Sequence, residues 1–200
     1  MKQVMQVRLA AIVQINPPAS IALENRSLVA YAPLSAVCAA EATVTPQFVL
    51  YGTFGRHVHY FQGGDLLMPI IASGLAGKKI AQVDAQYPAG VCSPELDVIR
   101  ADEAAVHPRY LLHWLRQRGC AMLLPALRGT TIKRIGYEDL LKLEMPLPPL
   151  VQQALCAQLM DTALARRNVS ARQLRNAEDT ITAVWQQVMQ KMRCDKVAGE

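Results

Sequence analysis

The residues best suited to chemistry in this sequence are two histidines that alternate along a short segment. His57 and His59 belong to Arg-His-Val-His-Tyr, residues 56–60. On a β-strand every second side chain points to the same face, so both imidazoles could bind one metal ion. A metal site needs a third ligand, and none is suggested nearby. We therefore predict two exposed or polar-contacting histidines and no metal site, with a metal-dependent nuclease as the enzymatic alternative.

No other catalytic constellation is found. The sequence contains no G-x-G-x-x-G, no P-loop and no G-x-S-x-G. Asp65 follows two glycines and is interpreted as a turn residue, and the Asn-Pro-Pro-Ala segment at 16–19 as a loop. The five cysteines are scattered without a C-x-x-C pair, which favours reduced thiols in a cytoplasmic protein. We predict a non-catalytic chain with no cofactor of its own.

The distribution of charge points to a polyanionic partner. The net charge is +5, and residues 109–134 contain six basic side chains and no acidic one. Within them, Arg-Gly-Thr-Thr-Ile-Lys-Arg at 128–134 combines cations, hydroxyls and a glycine that allows close approach to phosphates or base edges. The alternative is a turn with solvated charges. The predicted DNA-binding residues are Arg56, His57, Lys78, Lys79, Arg128, Thr130, Thr131, Lys133 and Arg134.

The elements that must position these residues fall into two regions. Residues 1–148 predict a mixed α/β (α+β) domain, because short β-like runs alternate with amphipathic helices. A composition that is 52% hydrophobic and 18% charged is sufficient for a packed core. Gly119 is expected to end the helix that begins at His107. The predicted strands are 27–32, 58–61, 65–72, 79–83 and 95–100, and the predicted helices are 107–118, 120–127 and 137–141.

Residues 149–195 predict one long helix, followed by a disordered tail at 196–200. Its apolar side chains recur at steps of three and four, and such a stripe must be buried against a partner. A second long helix is the natural partner, although a helical hairpin that breaks at 168–170 is the alternative. The predicted dimerisation residues are Leu155, Leu159, Leu174, Ile181, Val184 and Val188. No stretch is apolar enough to span a membrane.

Several motifs, in order along the chain, resemble those of the specificity subunit of type I restriction–modification systems. The most specific is Met-Pro-Leu-Pro-Pro-Leu-Val-Gln-Gln at 145–153, which resembles the family's Pro-Leu-Pro-Pro-Leu-x-Glu-Gln junction with Gln152 in place of Glu. Another is Tyr-Phe-Gln-Gly-Gly-Asp-Leu-Leu at 60–67. The remaining matches are residues 9–17, 31–37, 69–78, 93–100, 106–115 and 129–135.

The resemblance implies a division of labour. The first domain would be a target recognition domain that reads a short half-site of double-stranded DNA. The helix would form an antiparallel coiled coil with another copy, so that a homodimer of half-subunits reads an interrupted palindrome. Methyltransferase (modification) subunits, which carry S-adenosylmethionine, would dock on this dimer. The alternative is a degenerate adaptor that dimerises and binds modification subunits without specific DNA recognition.

Overall fold

The computed structural model describes residues 5–19, 27–51 and 58–197, with side chains as far as residue 190. The chain divides into two compact units, Met1–Met160 and Asp161–Glu200. We call the first unit the head. The long helix begins within the head, at Leu150, and continues through the second unit. Most of the predicted tail at 196–200 lies outside the described residues.

The described part of the head contains twelve short strands, most of them two to five residues long. In chain order, β1 to β12 are Gln6–Arg8, Val13–Ile15, Leu28–Ala32, Val37–Cys38, Thr43–Val44, Gln47–Leu50, His59–Phe61, Leu66–Pro69, Ala81–Gln82, Gly90–Cys92, Leu96–Ala101 and Glu144–Pro146.

These strands form three sheets of mixed direction. Six strands pair in the order β2-β11-β8-β9-β5-β4, four in the order β6-β3-β10-β7, and β1 pairs with β12. The β10–β3 and β5–β9 pairs are parallel, and the other pairs are antiparallel. One buried cluster joins the two larger sheets, with Phe61 from one and Leu67, Leu96 and Val98 from the other. This confirms the predicted α/β class with mixed strands.

Five α-helices complete the described chain. In order, α1 to α5 are Ala72–Ala76, Pro108–Trp114, Cys120–Leu123, Tyr137–Leu141 and Leu150–Val197. The predicted helices at 107–118 and 137–141 are therefore present, and the long helix is confirmed without a break at 168–170.

The prediction that Gly119 ends a helix is wrong. Its backbone is helical (φ −56°, ψ −48°), and a wide π-turn, Leu115–Gly119, connects α2 directly to α3. The glycine allows close packing, because a β-carbon at this position would lie 2.9 Å from Leu115 Cδ2 and 3.3 Å from Trp114 Cζ3. A side chain would therefore displace the residues that bury this helix.

An ion pair inside the head connects two parts of the core. Asp65 is buried, and both of its carboxylate oxygens accept hydrogen bonds from Arg100, with distances of 2.9 Å (Nε to Oδ1) and 2.8 Å (Nη2 to Oδ2). Asp65 Oδ2 also accepts the Gln62 amide at 2.9 Å, which closes the turn predicted at this position. The bidentate geometry is the strongest that a guanidinium and a carboxylate form. No local pattern indicated that Arg100, 35 residues away, would be the partner of Asp65.

Candidate nucleic-acid interface

Residues 128–134 form a closed loop on the surface of the head, which we call the basic hairpin. The amide of Arg128 donates to the carbonyl of Arg134, and the amide of Arg134 donates back to Arg128, both at 2.8 Å. The side chains between them, including Thr130, Thr131 and Lys133, are exposed. Hydroxyls and cations held on a short, closed loop are suited to phosphate oxygens and base edges.

The basic hairpin is fixed to the segment that leads into α1. The amide of Ala72 donates to the carbonyl of Lys133 at 3.0 Å, and the amide of Ile135 donates to the carbonyl of Ile70 at 2.9 Å. Helix α1 then leads to Lys78, which is exposed, and Lys79, which is half-buried. Two segments of the head that are hydrogen-bonded to each other therefore carry four of the predicted binding positions, namely Lys78, Lys79, Lys133 and Arg134. Arg56 and His57 lie outside the described residues.

One cation of the basic hairpin has a partner that the sequence did not reveal. The Arg128 guanidinium donates to Asp139 Oδ1 at 3.1 Å, and the Arg128 side chain is 74% exposed. An exposed pair of this kind contributes little to stability. The pairing reduces the local positive charge and holds Arg128 beside α4, while Lys133 and Lys78 remain on the exposed surface. The acidic residues in the first turn of α4 were the only feature of the sequence that could have indicated a partner for Arg128.

Gly129 is essential to the hairpin, so we expect Gly129→Ala to open it. Its φ is +116°, and a β-carbon would lie 2.6 Å from the Ile132 carbonyl oxygen. Strain of this kind costs about 1–3 kcal/mol. We expect it to weaken the two backbone hydrogen bonds between Arg128 and Arg134, which close the hairpin. Hydrogen exchange of these two amides should accelerate by about tenfold or more, since 1.4 kcal/mol is a factor of ten.

Gly136→Ala is the matched control for this prediction. The added β-carbon would meet only Asp139 Oδ2, at the ordinary distance of 3.6 Å. We expect unchanged exchange of the Arg128 and Arg134 amides in this variant. Equal protection of those amides in Gly129→Ala and the wild type would contradict the role assigned to Gly129.

His59 is a structural residue of the core edge. Its Nδ1–H donates to the carbonyl of Leu96 at 2.8 Å and lies 3.9 Å from Asp97 Oδ1.

Burial raises the pKa of Asp97, and a hydrogen bond from Asn16 partly opposes this effect. Burial, followed by the charge of Asp97, also raises the pKa of the nearby Cys92 thiol, which keeps it protonated and unreactive. No group of three or more possible metal ligands occurs among the described residues.

The proline junction, residues 146–149, is tied to the head on several sides. Tyr110 donates its hydroxyl to the carbonyl of Pro146 at 2.9 Å, and the amide of Leu147 donates to the carbonyl of Met5 at 2.9 Å. Gln153, in the first turn of α5, donates its side-chain amide to the carbonyl of Pro148 at 2.8 Å. The motif at 145–153 pointed to this junction, but nothing in the sequence indicated that Gln153 would be buried.

The apolar stripe of α5 faces solvent in the isolated chain. The six predicted dimerisation side chains are each 42–62% exposed. In the second unit, Leu174, Ala177, Ile181, Val184 and Val188 follow one another at steps of three, four, three and four. This 3.5-residue period is typical of a coiled-coil seam. Nowhere in the described ranges does a helix combine the length and apolar character needed to cross a bilayer.

Comparisons with known proteins bear on the fold. Neither a family model nor a curated protein sequence matches the chain. Solved structures do match, and two of them are informative. One belongs to a study of complex assembly and conformational transition of a type I R-M system, with a TM-score of 0.68 and 22% sequence identity over 88% of this chain and 45% of that chain. The other is the HsdS subunit from Thermoanaerobacter tengcongensis, with a TM-score of 0.67 and 25% identity over 86% of this chain and 44% of that chain.

These matches confirm the resemblance to type I specificity subunits that the motifs indicated. The head and the long helix have the fold of an HsdS subunit. The chain spans less than half the length of the solved chains it matches.

Proposed function

We propose that this chain is a non-catalytic specificity half-subunit of a type I restriction–modification complex. In this role the head reads one DNA half-site through the basic hairpin and neighbouring loops. Helix α5 pairs antiparallel with α5 of a second copy, and the resulting homodimer recruits methyltransferase subunits in the cytoplasm. The proposal is supported by the similarity of fold to HsdS, of which this chain spans 44%.

The observation that carries the proposal is the exposed seam of α5. A helix owes its stability mainly to the face that it buries, and an isolated helix loses most of that support. Leu174, Ile181 and Val184 are each more than half exposed in the single chain. A second copy would cover them by two-fold symmetry, and the two heads would then present the same surface to the two halves of a palindrome.

The direct test combines mass and DNA binding. We expect the pure chain to sediment at twice its 22.0 kDa. We also expect it to select, from a pool of randomised duplexes, an interrupted palindrome that it binds far more tightly than unrelated DNA. Specific complexes are typically about a thousandfold or more tighter than non-specific ones. A stable monomer, or equal affinity for all duplexes, would contradict the proposal.

A charge change in the basic hairpin should weaken DNA binding without affecting assembly. In the double variant Lys133→Glu with Arg128→Gln, about two phosphate contacts are lost, so the slope of log K against log salt should fall by about 2. We expect affinity for the selected palindrome to fall by about 10–100-fold at 0.1 M salt. Gel-shift titration at several salt concentrations measures both quantities.

The matched control has the same change in net charge away from the head. Arg172→Glu with Arg175→Gln alters two exposed side chains of α5 in the second unit. We expect this control to keep the salt slope of the wild type within measurement error. An equal loss of affinity in both double variants would show that net charge, and not the basic hairpin, attracts the DNA.

A second function is favoured by the Arg128–Asp139 pair. Because Asp139 neutralises part of the hairpin's charge, the chain could act as an adaptor that dimerises and binds modification subunits without reading DNA. An adaptor would still sediment as a dimer and would still bind a methyltransferase subunit. It would show no preference for any duplex, and the charge change in the hairpin would then have no effect on its assembly or its partners.

A further inference from the structure

We propose that the side chain of Gln153 is a positioning residue that sets which gap between two half-sites the dimer accepts. It does so by locking the first turns of α5 to the head. The inference rests on the proposed function, because a gap has meaning only if two heads read one duplex. It assigns a role in spacing to a residue that contacts neither the DNA nor the second copy.

The amide of Gln153 bonds in three directions. The side chain is 1% exposed. Its Nε2 donates to the carbonyl of Pro148 at 2.8 Å and to the carbonyl of Ala105 at 3.2 Å. Its Oε1 accepts the backbone amide of His107, the residue before α2, at 2.8 Å. Both donor protons and one acceptor site are therefore used, and one planar group links the start of α5, the proline junction and the loop that begins α2.

The prolines alone would not fix the helix. Pro148 and Pro149 each hold φ near −65°, and Pro149 restricts ψ of Pro148 to extended values, but neither ring restricts ψ of Pro149. Rotation about ψ would turn the first residues of α5 against the head. The Gln153 amide removes this freedom, because it bonds to the carbonyl of Pro148 on one side and to the segment 105–107 on the other. Ala157, one helical turn later, is buried on the same face and adds apolar packing.

Two of the remaining bonds of the junction act before Pro148, and the amides of Gln152 and Gln153 donate to the carbonyl of Pro149 at the start of α5. Tyr110 holds the carbonyl of Pro146, and the amide of Leu147 is held by Met5. These contacts fix β12 but not the direction of α5, which depends on the Gln153 bonds and on the packing of Ala157. The first eleven residues of α5 belong to the head, so this joint lies entirely within one compact unit.

The length of α5 amplifies a small change at the joint. The middle of its 48 residues lies about 36 Å along the helix from its start at ~1.5 Å per residue. A turn of about 10° at the joint displaces a point at that distance by about 6 Å, which is close to two base-pair rises of ~3.4 Å. If α5 can turn at its junction with the head, the distance between the two heads therefore varies by the length of several base pairs. In a bivalent complex, the avidity gained at one gap depends on a linkage whose length matches that gap.

The test measures preference among gaps and not only affinity. The half-site that the wild-type chain selects from the randomised pool is placed in duplexes whose gap is shorter or longer by one or two base pairs, and also in a duplex with a single half-site. The variant is Gln153→Met, which keeps the length and packing of the side chain but can make none of the three hydrogen bonds. Gln152→Met is the matched control, because Gln152 is the exposed neighbour on the same helix.

For Gln153→Met we expect a dimer by sedimentation and an affinity for the single half-site within about twofold of the wild type. The preference for the best gap over gaps two base pairs away should fall by about tenfold, because the linkage no longer matches one gap alone. The milder variant Gln153→Asn keeps the amide on a shorter side chain and should give an intermediate loss. Gln152→Met should retain the wild-type preference.

The outcomes separate the two proposals. If Gln153→Met or, should that variant not fold, Gln153→Asn keeps the wild-type ratio between gaps, the positioning role is overturned and the proposed function stands. An equal loss of affinity for every duplex, including the single half-site, would show a purely structural role and would also overturn it. If the wild-type chain selects no interrupted palindrome, the proposed function itself fails, and the inference fails with it.

Discussion

The variant Ile181→Asp is expected to sediment as a 22.0 kDa monomer at concentrations at which the wild-type chain is a dimer. Ile181 is at the centre of the exposed seam of α5, with Leu174 and Val188 seven residues away on either side. In a two-fold dimer each substitution appears twice, so apolar burial worth about 1.5–3 kcal/mol per side chain is lost twice. Two carboxylates also lose water on association. A weakening of about a thousandfold or more in the dimer dissociation constant follows, since ~4 kcal/mol corresponds to that factor.

The control for this prediction is Gln186→Asp. Five residues beyond Ile181 at ~100° per residue place Gln186 about 140° around the helix, away from the seam. We expect this variant to remain a dimer. Far-UV circular dichroism gives a second measurement, because the second unit should lose helical signal when its seam has no partner. If Ile181→Asp sediments as the wild type does, the seam is not the dimer interface.

The variant Asp65→Asn is expected to destabilise the head strongly. It places a neutral amide beside the Arg100 guanidinium. Of the two oxygens that accept from Arg100 in the wild type, only one remains an acceptor. Removing one partner of a fully buried pair costs about 3–5 kcal/mol. The Arg100 side chain is 21% exposed, which lowers this cost because water still reaches its charge. For a chain of this size the melting temperature should fall by on the order of 10 °C. Thermal and urea unfolding, followed by circular dichroism, provide the measurement.

Two further variants test whether the loss of stability in Asp65→Asn comes from the unpaired Arg100 guanidinium. Asp84→Asn changes an exposed turn carboxylate and should alter stability by less than about 0.5 kcal/mol. Asp65→Asn combined with Arg100→Met removes the unpaired guanidinium and should recover part of the stability, because no uncompensated charge then remains. A melting temperature of Asp65→Asn within one or two degrees of the wild type would show that the pair contributes little.

Local sequence patterns were sufficient for the longer elements of the fold. Strand β11 and helix α5 each follow from a run of residues with one clear period, and both are present where they were predicted. Strands β4 and β5 are two residues long, and β10 is formed by pairing with β3 some 60 residues earlier in the chain. Such strands have almost no local signature, because their partners, and not their own propensities, make them strands.

The limits at the candidate site have the same physical cause. The basic hairpin could be identified because its glycine, hydroxyls and cations are consecutive in the sequence. The roles of Gln153 and Arg100 could not, because two of the three partners of Gln153 are 46 and 48 residues away and the partner of Arg100 is 35 residues away. The prediction at Gly119 was wrong for a related reason. From the sequence alone, a glycine that ends a helix cannot be distinguished from one that allows close packing of neighbouring side chains. The predicted contacts with DNA stay predictions until binding is measured.

The pairing of β1 with β12 places the first and last strands of the head side by side, with Gln6 opposite Pro146 and Val7 opposite Met145. Polypeptide domains whose two ends adjoin can be exchanged as a block, since the surrounding chain need not move to accept the replacement. In the proposed function, two crossovers, one in the coding sequence of each of these strands, would replace the surface that reads DNA while preserving α5. Such an exchange would give a new target without a series of intermediate mutations.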